Sequence, residues 1–338
     1  MIAILSSCSG YGTYVPALRI SEELSENNIK NEVFVYENYF EKDNLNVFIN
    51  YRKQFHESFR FAQIATSMST FNDLKIRFDK IDKDFNSRYF TLYIVITGTW
   101  LRVLEKLNIP NNKIICLRPD TVDSPSWKSA KETYEYYNNI WLIGMGKSLP
   151  NYILNNKYSE CERSRRVIMH GGGWGINTFT NKIKKLYNNY EVLTIHSTED
   201  EAKQYAKEFG IESFYTPINW LPNMNEYSYP PLINVENGRD TQFHIILNSC
   251  CAVISKPGGG TCLDAITMKV PPIFLEGMAE HEKSNMLNMT SNHIGVDFNT
   301  WELNNYSYDV LLDIKENLVK KLLNKRYLYE YISELIKV

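Results

Sequence analysis

The sequence lacks an excess of charge of either sign. Its 338 residues carry 37 Lys and Arg against 39 Asp and Glu, which gives a formal net charge of −2. Long-range attraction to nucleic acid or to an anionic lipid surface requires a marked basic excess. We therefore expect no nucleic-acid partner and no general electrostatic affinity for membranes.

Long apolar runs are also lacking. No stretch approaches the roughly 18 consecutive apolar residues that a membrane-spanning helix needs. The apolar N-terminal run, residues 1–5, has no basic residues before it and predicts a buried strand rather than a signal peptide. These features favour a cytoplasmic protein.

Paired cysteine motifs are missing as well. None of the cysteines forms a Cys-x-x-Cys pair or stands near a histidine at zinc-finger spacing. Three of them lie in or beside apolar runs, where a free thiol behaves as a small core residue. This usage is typical of the cytoplasm. The cysteines are Cys8, Cys116, Cys161, Cys250, Cys251 and Cys262.

Short apolar runs that alternate with helical stretches make up most of the chain, a pattern typical of parallel sheets with crossover helices. The predicted strands are 2–5, 32–36, 92–96, 113–117, 166–169, 191–195, 252–254 and 272–275. The predicted helices are 15–26, 101–107, 182–186, 199–209, one from 261 onward and an amphipathic tail over 313–336.

A strand that enters a glycine turn and then a helix occurs in both halves of the chain, which predicts two Rossmann-like domains. The seam falls within 141–155. We therefore expect a first domain over 1–150, a second over 151–312 and a terminal helix over 313–338.

The first glycine turn, with Gly10 and Gly12, begins like a dinucleotide-binding fingerprint. Glu37 ends the next strand, where a ribose-binding acid would stand. However, Val15 occupies the third glycine position and Pro16 supplies no N–H. The turn is a weak match to a nicotinamide site.

The later glycine turns are richer. Residues 170–175 hold four glycines in six residues, and residues 258–260 are three consecutive glycines followed by Thr261. Glycine N–H groups at a helix start suit a phosphate, since the helix dipole favours an anion and no Cβ blocks its approach. Asp264, one turn later, can accept both hydrogens of a ribose diol. This spacing describes a nucleoside-diphosphate site.

These residues also carry a family resemblance. The stretch from Ser255 to Asp264, with Glu280-His281-Glu282 and Asn285, resembles the nucleotide-sugar site of GT-B glycosyltransferases. Residues 12–18 are similar to the Gly-His-x-x-Pro-Ala-Leu stretch of the inverting peptidoglycan N-acetylglucosaminyl transferases and diacylglycerol glycosyltransferases. The order of elements agrees over nearly the whole chain.

The resemblance implies two facing Rossmann-like domains with parallel sheets, a C-terminal helix that crosses back, and transfer from a UDP-sugar without a metal or other cofactor. It places the diphosphate on the glycine loop, the ribose on Asp264 and the sugar on Glu282. The uracil would bind in the loop before Ile245 and Ile246. The residues it assigns to the donor are Gly172, Gly173, Ile245, Ser255, Gly258, Gly259, Gly260, Thr261, Asp264, Glu280, His281 and Glu282. Those on the acceptor side are Gly10, Gly12 and Thr13.

The chain departs from this family at the general base. Several relatives place a histidine where this chain has Thr13, and a threonine hydroxyl is a poor base near neutral pH. Asp120 follows a predicted strand at the edge where α/β sites collect ligands, although residues 118–120 could equally form a salt-bridged turn. We take Asp120, Thr13 and His281 as the catalytic candidates. His56 is expected to be a surface or packing residue, and His244 to pair at a strand edge.

The helical insertion over 41–84 carries aromatic residues at helical spacing, either packed on the sheet or exposed as an acceptor dock. Its basic residues either accompany an anionic or membrane-bound acceptor or are ordinary solvated charges. The aromatic residues are Tyr51, Phe55, Phe59 and Phe61, and the basic ones are Arg52, Lys53, Arg60, Lys75 and Arg77.

Two alternatives to a glycosyltransferase stay open. A nucleotide-sugar hydrolase or epimerase on the same fold would explain the missing histidine, because neither needs the usual acceptor. A nicotinamide-dependent oxidoreductase would use the first glycine turn and Glu37. The acceptor is not identified by the sequence, and a lipid-linked acceptor would bring the protein to the inner membrane face.

Overall fold

The computed structural model describes residues 1–67, 75–130, 137–158, 163–173, 175–176, 179–223 and 227–336. Cys161, Trp174 of the second glycine turn and the side chain of Phe59 lie outside the described residues.

The N-terminal half is built on a parallel sheet in the order β2-β1-β3-β4-β5. Strands β1, β3 and β4 are buried along their whole length, because helices cover both faces of the sheet. The strands are β1 (Ile2–Ser6), β2 (Asn31–Val35), β3 (Leu92–Val95), β4 (Ile114–Arg118) and β5 (Asn138–Trp141).

Helices connect these strands, and α2 to α4 form the insertion between β2 and β3. The helices are α1 (Tyr11–Glu26), α2 (Lys42–Glu57), α3 (Phe59–Ser67), α4 (Phe78–Asn86), α5 (Leu101–Lys106) and α6 (Pro125–Lys128). Short 3₁₀ helices lie at Tyr36–Tyr39, Gly98–Trp100 and Asn111–Lys113.

The C-terminal half holds a second sheet in the order β11-β10-β9-β8-β7-β12-β13-β14, parallel except where β10 pairs with β9 and β11. A two-stranded ribbon pairs β6 with β15. The strands are β6 (Tyr152–Ile153), β7 (Ser164–His170), β8 (Glu191–His196), β9 (Glu212–Tyr215), β10 (Leu232–Asn234), β11 (Asp240–Thr241), β12 (Cys250–Ser255), β13 (Pro272–Phe274), β14 (Val296–Asp297) and β15 (Arg326–Tyr327).

The remaining helices flank this sheet and form the tail. They are α7 (Thr180–Ile183), α8 (Glu199–Phe209), α9 (Phe243–Ser249), α10 (Gly259–Met268), α11 (Glu280–Ser291), α12 (Phe298–Leu303), α13 (Tyr308–Leu322) and α14 (Leu328–Ile336). In the described part of the chain, no helix combines the length and apolar character needed to cross a membrane.

Each sheet has a point at which the strand order reverses, between β1 and β3 in the first sheet and between β7 and β12 in the second. The loops that leave the carboxyl ends of parallel strands diverge there and leave a crevice. The glycine turns after β1, β7 and β12 all lie at these two crevices, which accounts for their common position.

The structure differs from the sequence-based expectations at three helices. The helix expected from Val15 begins at Tyr11, so the first glycine turn is the helix start itself. The helix expected over 182–186 is only the short α7, followed by turns. The tail is not one helix, because the short strand β15 separates α13 from α14.

The terminal helix α14 lies against the N-terminal half. The Tyr331 hydroxyl accepts a hydrogen bond from the Asn138 amide, and the Tyr331 ring packs on Tyr152 with centroids 4.7 Å apart. Strand β15 is held by the pairing with β6. The end of the chain is thereby tied to the edge of the first sheet.

The aromatic insertion packs across the molecule. Phe55 and Ala62 form a buried cluster with Ile176 and Met278 of the C-terminal half, with Tyr51 and Phe61 against it. The packed alternative is therefore correct for these aromatic side chains, but their partner is the other half of the chain rather than the first sheet. His56 is a packing residue, since its ring contacts the Gly175 carbonyl at 2.8 Å and Glu201 at 3.3 Å.

Candidate functional site

The two crevices face each other and enclose one cavity of about 360 Å³. We call the lining residues of the N-terminal half the N-terminal wall and those of the C-terminal half the C-terminal wall. The walls touch at glycines: a Cβ built on Gly260 would lie 2.9 Å from Gly12 Cα, and one on Gly173 would lie 2.6 Å from Tyr11 N. The starts of α1 and α10 thus meet with no side chain between them.

The start of α10 forms the floor of the C-terminal wall. Gly258 is the N-cap and supplies no side-chain cap, and the first turn carries no acidic residue. The first backbone bond of the helix runs from Cys262 N–H to the Gly258 carbonyl at 3.0 Å. The helix therefore offers no partner to the N–H groups of Gly259, Gly260 and Thr261, which is the arrangement that binds an anion.

Two predicted donor residues in this loop have other roles. The Gly258 N–H, expected to meet the diphosphate, instead donates to the Lys256 carbonyl at 2.8 Å. Ser255 is fully buried at the end of β12 and lies beneath the cavity, 3.5 Å from His170 Nδ1. The available donors therefore start one residue later than expected.

Asp264 lines the cavity one turn inside α10, as its spacing predicted, but it is already engaged. Its Oδ1 accepts from Arg19 Nη1 at 2.7 Å and lies 3.0 Å from His244 Nε2. Burial alone would raise the pKa of Asp264, and these two partners together hold it below its usual range. The Arg19 contact crosses from α1, so this carboxylate also joins the two walls.

Glu282 lies at the cavity as expected, in a buried pair with Lys256. Lys256 Nζ donates to Glu282 Oε1 at 3.0 Å, and the Met278 N–H donates to Oε2 at 2.6 Å. Burial raises the pKa of Glu282, and Lys256 and His281 more than offset it, so the carboxylate stays ionised. His281 is half-buried and lines the cavity beside it.

Glu280 does not belong to this group. Its side chain is 76% exposed and pairs with the exposed Lys128 at 2.6 Å, outside the cavity. The physical reason is helical geometry, because consecutive residues at the start of α11 point in different directions. The prediction that placed Glu280 beside the sugar is wrong in position.

His170, at the end of β7, was not singled out by the sequence. The Gly172 N–H donates to its Nδ1 at 3.1 Å, which leaves the ring proton on Nε2. Burial lowers the pKa of His170 to about 4, so the ring is neutral near pH 7. Its buried Nε2 has no partner among the described residues, and the ring lines the cavity.

The first glycine turn is held from within the N-terminal wall. The Glu37 carboxylate accepts from the Ser7 hydroxyl at 2.5 Å and from the Cys8 N–H at 2.8 Å. The Thr13 hydroxyl donates to the Ser7 carbonyl at 2.7 Å. Glu37 thus fixes the loop before α1, and Thr13 lines the cavity with its only proton already donated.

Asp120 follows β4 and enters the cavity next to α10. Asn285 Nδ2 donates to its Oδ1 at 2.8 Å, and a Cβ on Gly259 would lie 2.8 Å from the same oxygen. The salt-bridged turn exists, but Arg118 pairs with Asp123 and not with Asp120. Asp120 is therefore buried beside the proposed phosphate donors without a cationic partner among the described residues.

Ile245 lies outside the cavity, with 52% of its surface exposed. The expected loop is the helix α9, which turns the side chain of Ile245 away and points its predecessor His244 inward, where it meets Asp264. The cavity at this end is lined by Tyr229, Pro230, Leu232, Phe243 and His244. The prediction for the Ile245 side chain is wrong by one residue.

Two contacts made by buried arginines are not evident from the sequence because the partners are distant in the chain. Arg19 and Asp264 are separated by 245 positions, and Arg52 and Trp220 by 168. The available signal was a charged residue within an apolar helical stripe, as in Arg19 between Leu18 and Ile20.

Solved glycosyltransferase structures match the fold of the whole chain. Glycosyltransferase SsfS6 from Streptomyces sp. SF2575, complexed with thymidine diphosphate, gives a TM-score of 0.57 at 11% identity over 100% of this chain and 99% of that chain. Spinosyn rhamnosyltransferase SpnG gives 0.57 at 10% identity over 100% of both chains. Acinetobacter baumannii MurG gives 0.53 at 11% identity over 99% of this chain and 98% of that chain.

These likenesses show that the chain has the GT-B fold, with two facing Rossmann-like domains, which confirms the fold implied by the sequence motifs. No protein-family model and no curated protein matches the sequence.

Proposed function

We propose that the protein is a glycosyltransferase that moves a sugar from a nucleoside-diphosphate sugar, with UDP-sugar as the expected donor, to an acceptor bound in the same cavity. The observation that carries the proposal is the uncapped start of α10, where residues 259–261 line the cavity between the two halves of a GT-B fold and the helix leaves their N–H groups without a partner. Asp264 and Glu282 flank it at the positions suited to a ribose and a sugar.

The leaving diphosphate gains negative charge as the bond to the anomeric carbon breaks. The N–H groups of Gly259, Gly260 and Thr261, the dipole of α10 and the Lys256 ammonium supply positive potential at that point. We propose that these groups stabilise the leaving group without a metal ion. Direct displacement by the acceptor would invert the anomeric carbon.

We propose Asp120 as the general base. It belongs to the N-terminal wall, its carboxylate lies beside Gly259, and its contact with Asn285 fixes its orientation. A base must lie within hydrogen-bond reach of the attacking hydroxyl, which must itself approach the sugar next to the diphosphate. Thr13 is a poorer candidate because a hydroxyl is only weakly basic near neutral pH, and His281 lies on the opposite wall.

We place the nucleobase between the ring side chains of Tyr229, Phe243 and His244 at the far end of the C-terminal wall. The SsfS6 and SpnG structures with thymidine diphosphate support a pyrimidine base. Uridine and thymidine diphosphates differ at the ribose 2′-hydroxyl, which Asp264 would bind, and at the 5-methyl group of the base. The comparison of their affinities therefore tests the assignment of UDP.

We keep the cytoplasm as the proposed location. The structure of SpnG with spinosyn aglycone shows an acceptor on this fold, but the acceptor of this chain is a separate question. A lipid-linked acceptor would place the protein at the inner membrane face. The nicotinamide alternative loses support, because both oxygens of Glu37 are already hydrogen-bonded to the loop before α1.

The test is a calorimetric titration of the purified protein with UDP, thymidine diphosphate, GDP, CDP and NADH, each with and without EDTA. We expect selective binding of UDP that EDTA does not change. Binding of NADH alone would overturn the proposal. Release of UDP from a UDP-sugar at full rate without any acceptor would instead support the hydrolase alternative.

A further inference from the structure

Helix α2 carries a cation in its buried stripe. Its buried residues are Phe48, Arg52 and Phe55, at the i, i+4 and i+7 spacing of an apolar helix face. Arg52 is only 5% exposed, whereas Lys53, Arg60 and Arg77 of the same insertion are exposed. Arg52 is thus buried, unlike the solvent-exposed basic residues of the same insertion.

The neighbours that hold Arg52 are neutral. Its Nη1 donates to the Trp220 carbonyl at 2.8 Å, its Nη2 donates to the Tyr11 hydroxyl at 3.0 Å, and its guanidinium lies 5.4 Å from the Tyr11 ring centroid. Among the described residues, no carboxylate lies within 4.0 Å of Arg52, as one does for the buried Arg19 and Arg118.

A guanidinium has five N–H donors, and these contacts account for two of them. A buried cation without a counter-ion is costly unless a ligand supplies the missing charge. Arg52 lines the cavity from the N-terminal wall, on the insertion, while the diphosphate donors lie on the opposite wall. Its remaining N–H donors therefore belong to the wall opposite the expected diphosphate donors.

We propose that Arg52 binds an anionic group of the acceptor, a carboxylate or a phosphate, and so selects acidic acceptors. That this anion belongs to the acceptor rests on the proposed function, whereas the anion site itself does not. The planar fork of arginine suits both oxyanions because it donates two parallel hydrogen bonds.

The experiment uses matched probe pairs on the full chain, with binding measured by calorimetry in the presence of saturating UDP, which occupies the opposite wall. The pairs are glycerol 3-phosphate against glycerol, and 4-hydroxybenzoate against 4-hydroxybenzyl alcohol. We expect the anionic member of at least one pair to bind about tenfold more tightly or better. The pair that responds distinguishes phosphate from carboxylate.

The preference should disappear in R52Q and persist in K53Q, whose altered residue is exposed on the same helix. It should also persist in Y11F, which removes one hydrogen bond of Arg52 but leaves its charge. If Arg52 served only to tie α2 to Trp220 and Tyr11, neither the unmodified protein nor any variant would bind the anionic probe more tightly than its neutral partner. If R52Q does not fold, R52K should weaken the preference, because lysine keeps the charge but lacks the planar fork.

Equal affinities within both pairs in the unmodified protein, or a preference that survives in R52Q, would overturn the proposal. The same samples report UDP binding separately. A protein that ignores UDP yet keeps the anion preference would refute the glycosyltransferase proposal and retain the Arg52 site.

Discussion

The two walls of the cavity differ in how their charges are balanced. On the C-terminal wall, Lys256 and Glu282 form a buried pair and Asp264 is held by Arg19 and His244. On the N-terminal wall, the described residues give Arg52 only neutral acceptors, and Asp120 accepts from an amide. The C-terminal wall is thus built before a ligand arrives, whereas the N-terminal wall leaves two charges for a substrate to meet.

The largest effect should come from the N-terminal wall. In Asp120→Asn the side chain keeps its shape and its contact with Asn285 but loses its basicity. We expect the turnover rate to fall by about 10²-fold to 10⁴-fold, with UDP affinity unchanged or higher because a negative charge beside Gly259 is removed. Steady-state kinetics and calorimetry measure the two quantities. An unchanged turnover rate would remove Asp120 from the chemistry.

The next largest effect is on stability, and it follows from a substitution that breaks the ion pairs of Asp264. Asp264→Asn leaves Arg19 and His244 buried without their carboxylate, and we expect a loss of about 3 kcal/mol in the free energy of unfolding at pH 7. Because the pKa of Asp264 is depressed in the folded state, its contribution is present above the pKa of the unfolded chain and disappears as pH falls through the folded value.

The difference between the unmodified protein and Asp264→Asn should therefore shrink below about pH 4. Denaturant unfolding across pH 3 to 7 checks this. A difference that stays constant over that range would show that the carboxylate charge is not the stabilising element.

Substitutions in the glycine loop test whether the close approach of α1 and α10 is needed for UDP binding. Gly260→Ala places a Cβ against Gly12 Cα, while Gly258→Ala places one in open space. We expect UDP affinity to fall about tenfold or more in the first variant and to change little in the second. Equal losses would mean that flexibility of the loop, and not the close approach of α1 and α10, governs binding.

The smallest expected effects are those of substitutions at Glu282 and Glu280, two residues of the first turn of α11. Glu282→Gln should lower the affinity for the intact sugar donor more than the affinity for UDP, since the carboxylate lies at the proposed sugar position. Glu280→Gln should leave both affinities unchanged, because its ion pair with Lys128 is exposed and such pairs contribute little. Equal losses of donor and UDP in Glu282→Gln would remove that residue from the sugar pocket.

Local signals predicted much of this molecule, and the contacts they missed are long-range. Strands β1 and β12 and the start of α10 are visible in the sequence because apolar runs and consecutive glycines act within a few residues. The side chain at position 244 rather than 245 faces the cavity because α9 replaces the expected loop. In a helix the side-chain direction turns with a period of 3.6 residues, and this decides which of two adjacent side chains points into the cavity.

Charge balance could not be predicted in the same way. Arg118 has Asp120 and Asp123 close in the sequence, so a salt-bridged turn could be expected there, whereas nothing local indicates that Arg52 is buried. The folded chain pairs Arg118 with Asp123, and among the described residues it leaves Arg52 next to neutral groups. The functional difference between these two side chains is a property of the assembled cavity.

The meeting of α1 and α10 is one-sided, and this has a consequence for how the sequence can vary. A Cβ on Gly260 collides with backbone at 2.9 Å, but a Cβ on Gly12 would lie 3.7 Å from Gly260 N, an ordinary contact. A side chain at position 260 therefore requires a shift of the α1 backbone, whereas a Cβ at position 12 requires none. Among proteins that share this cavity, position 12 should vary more than position 260.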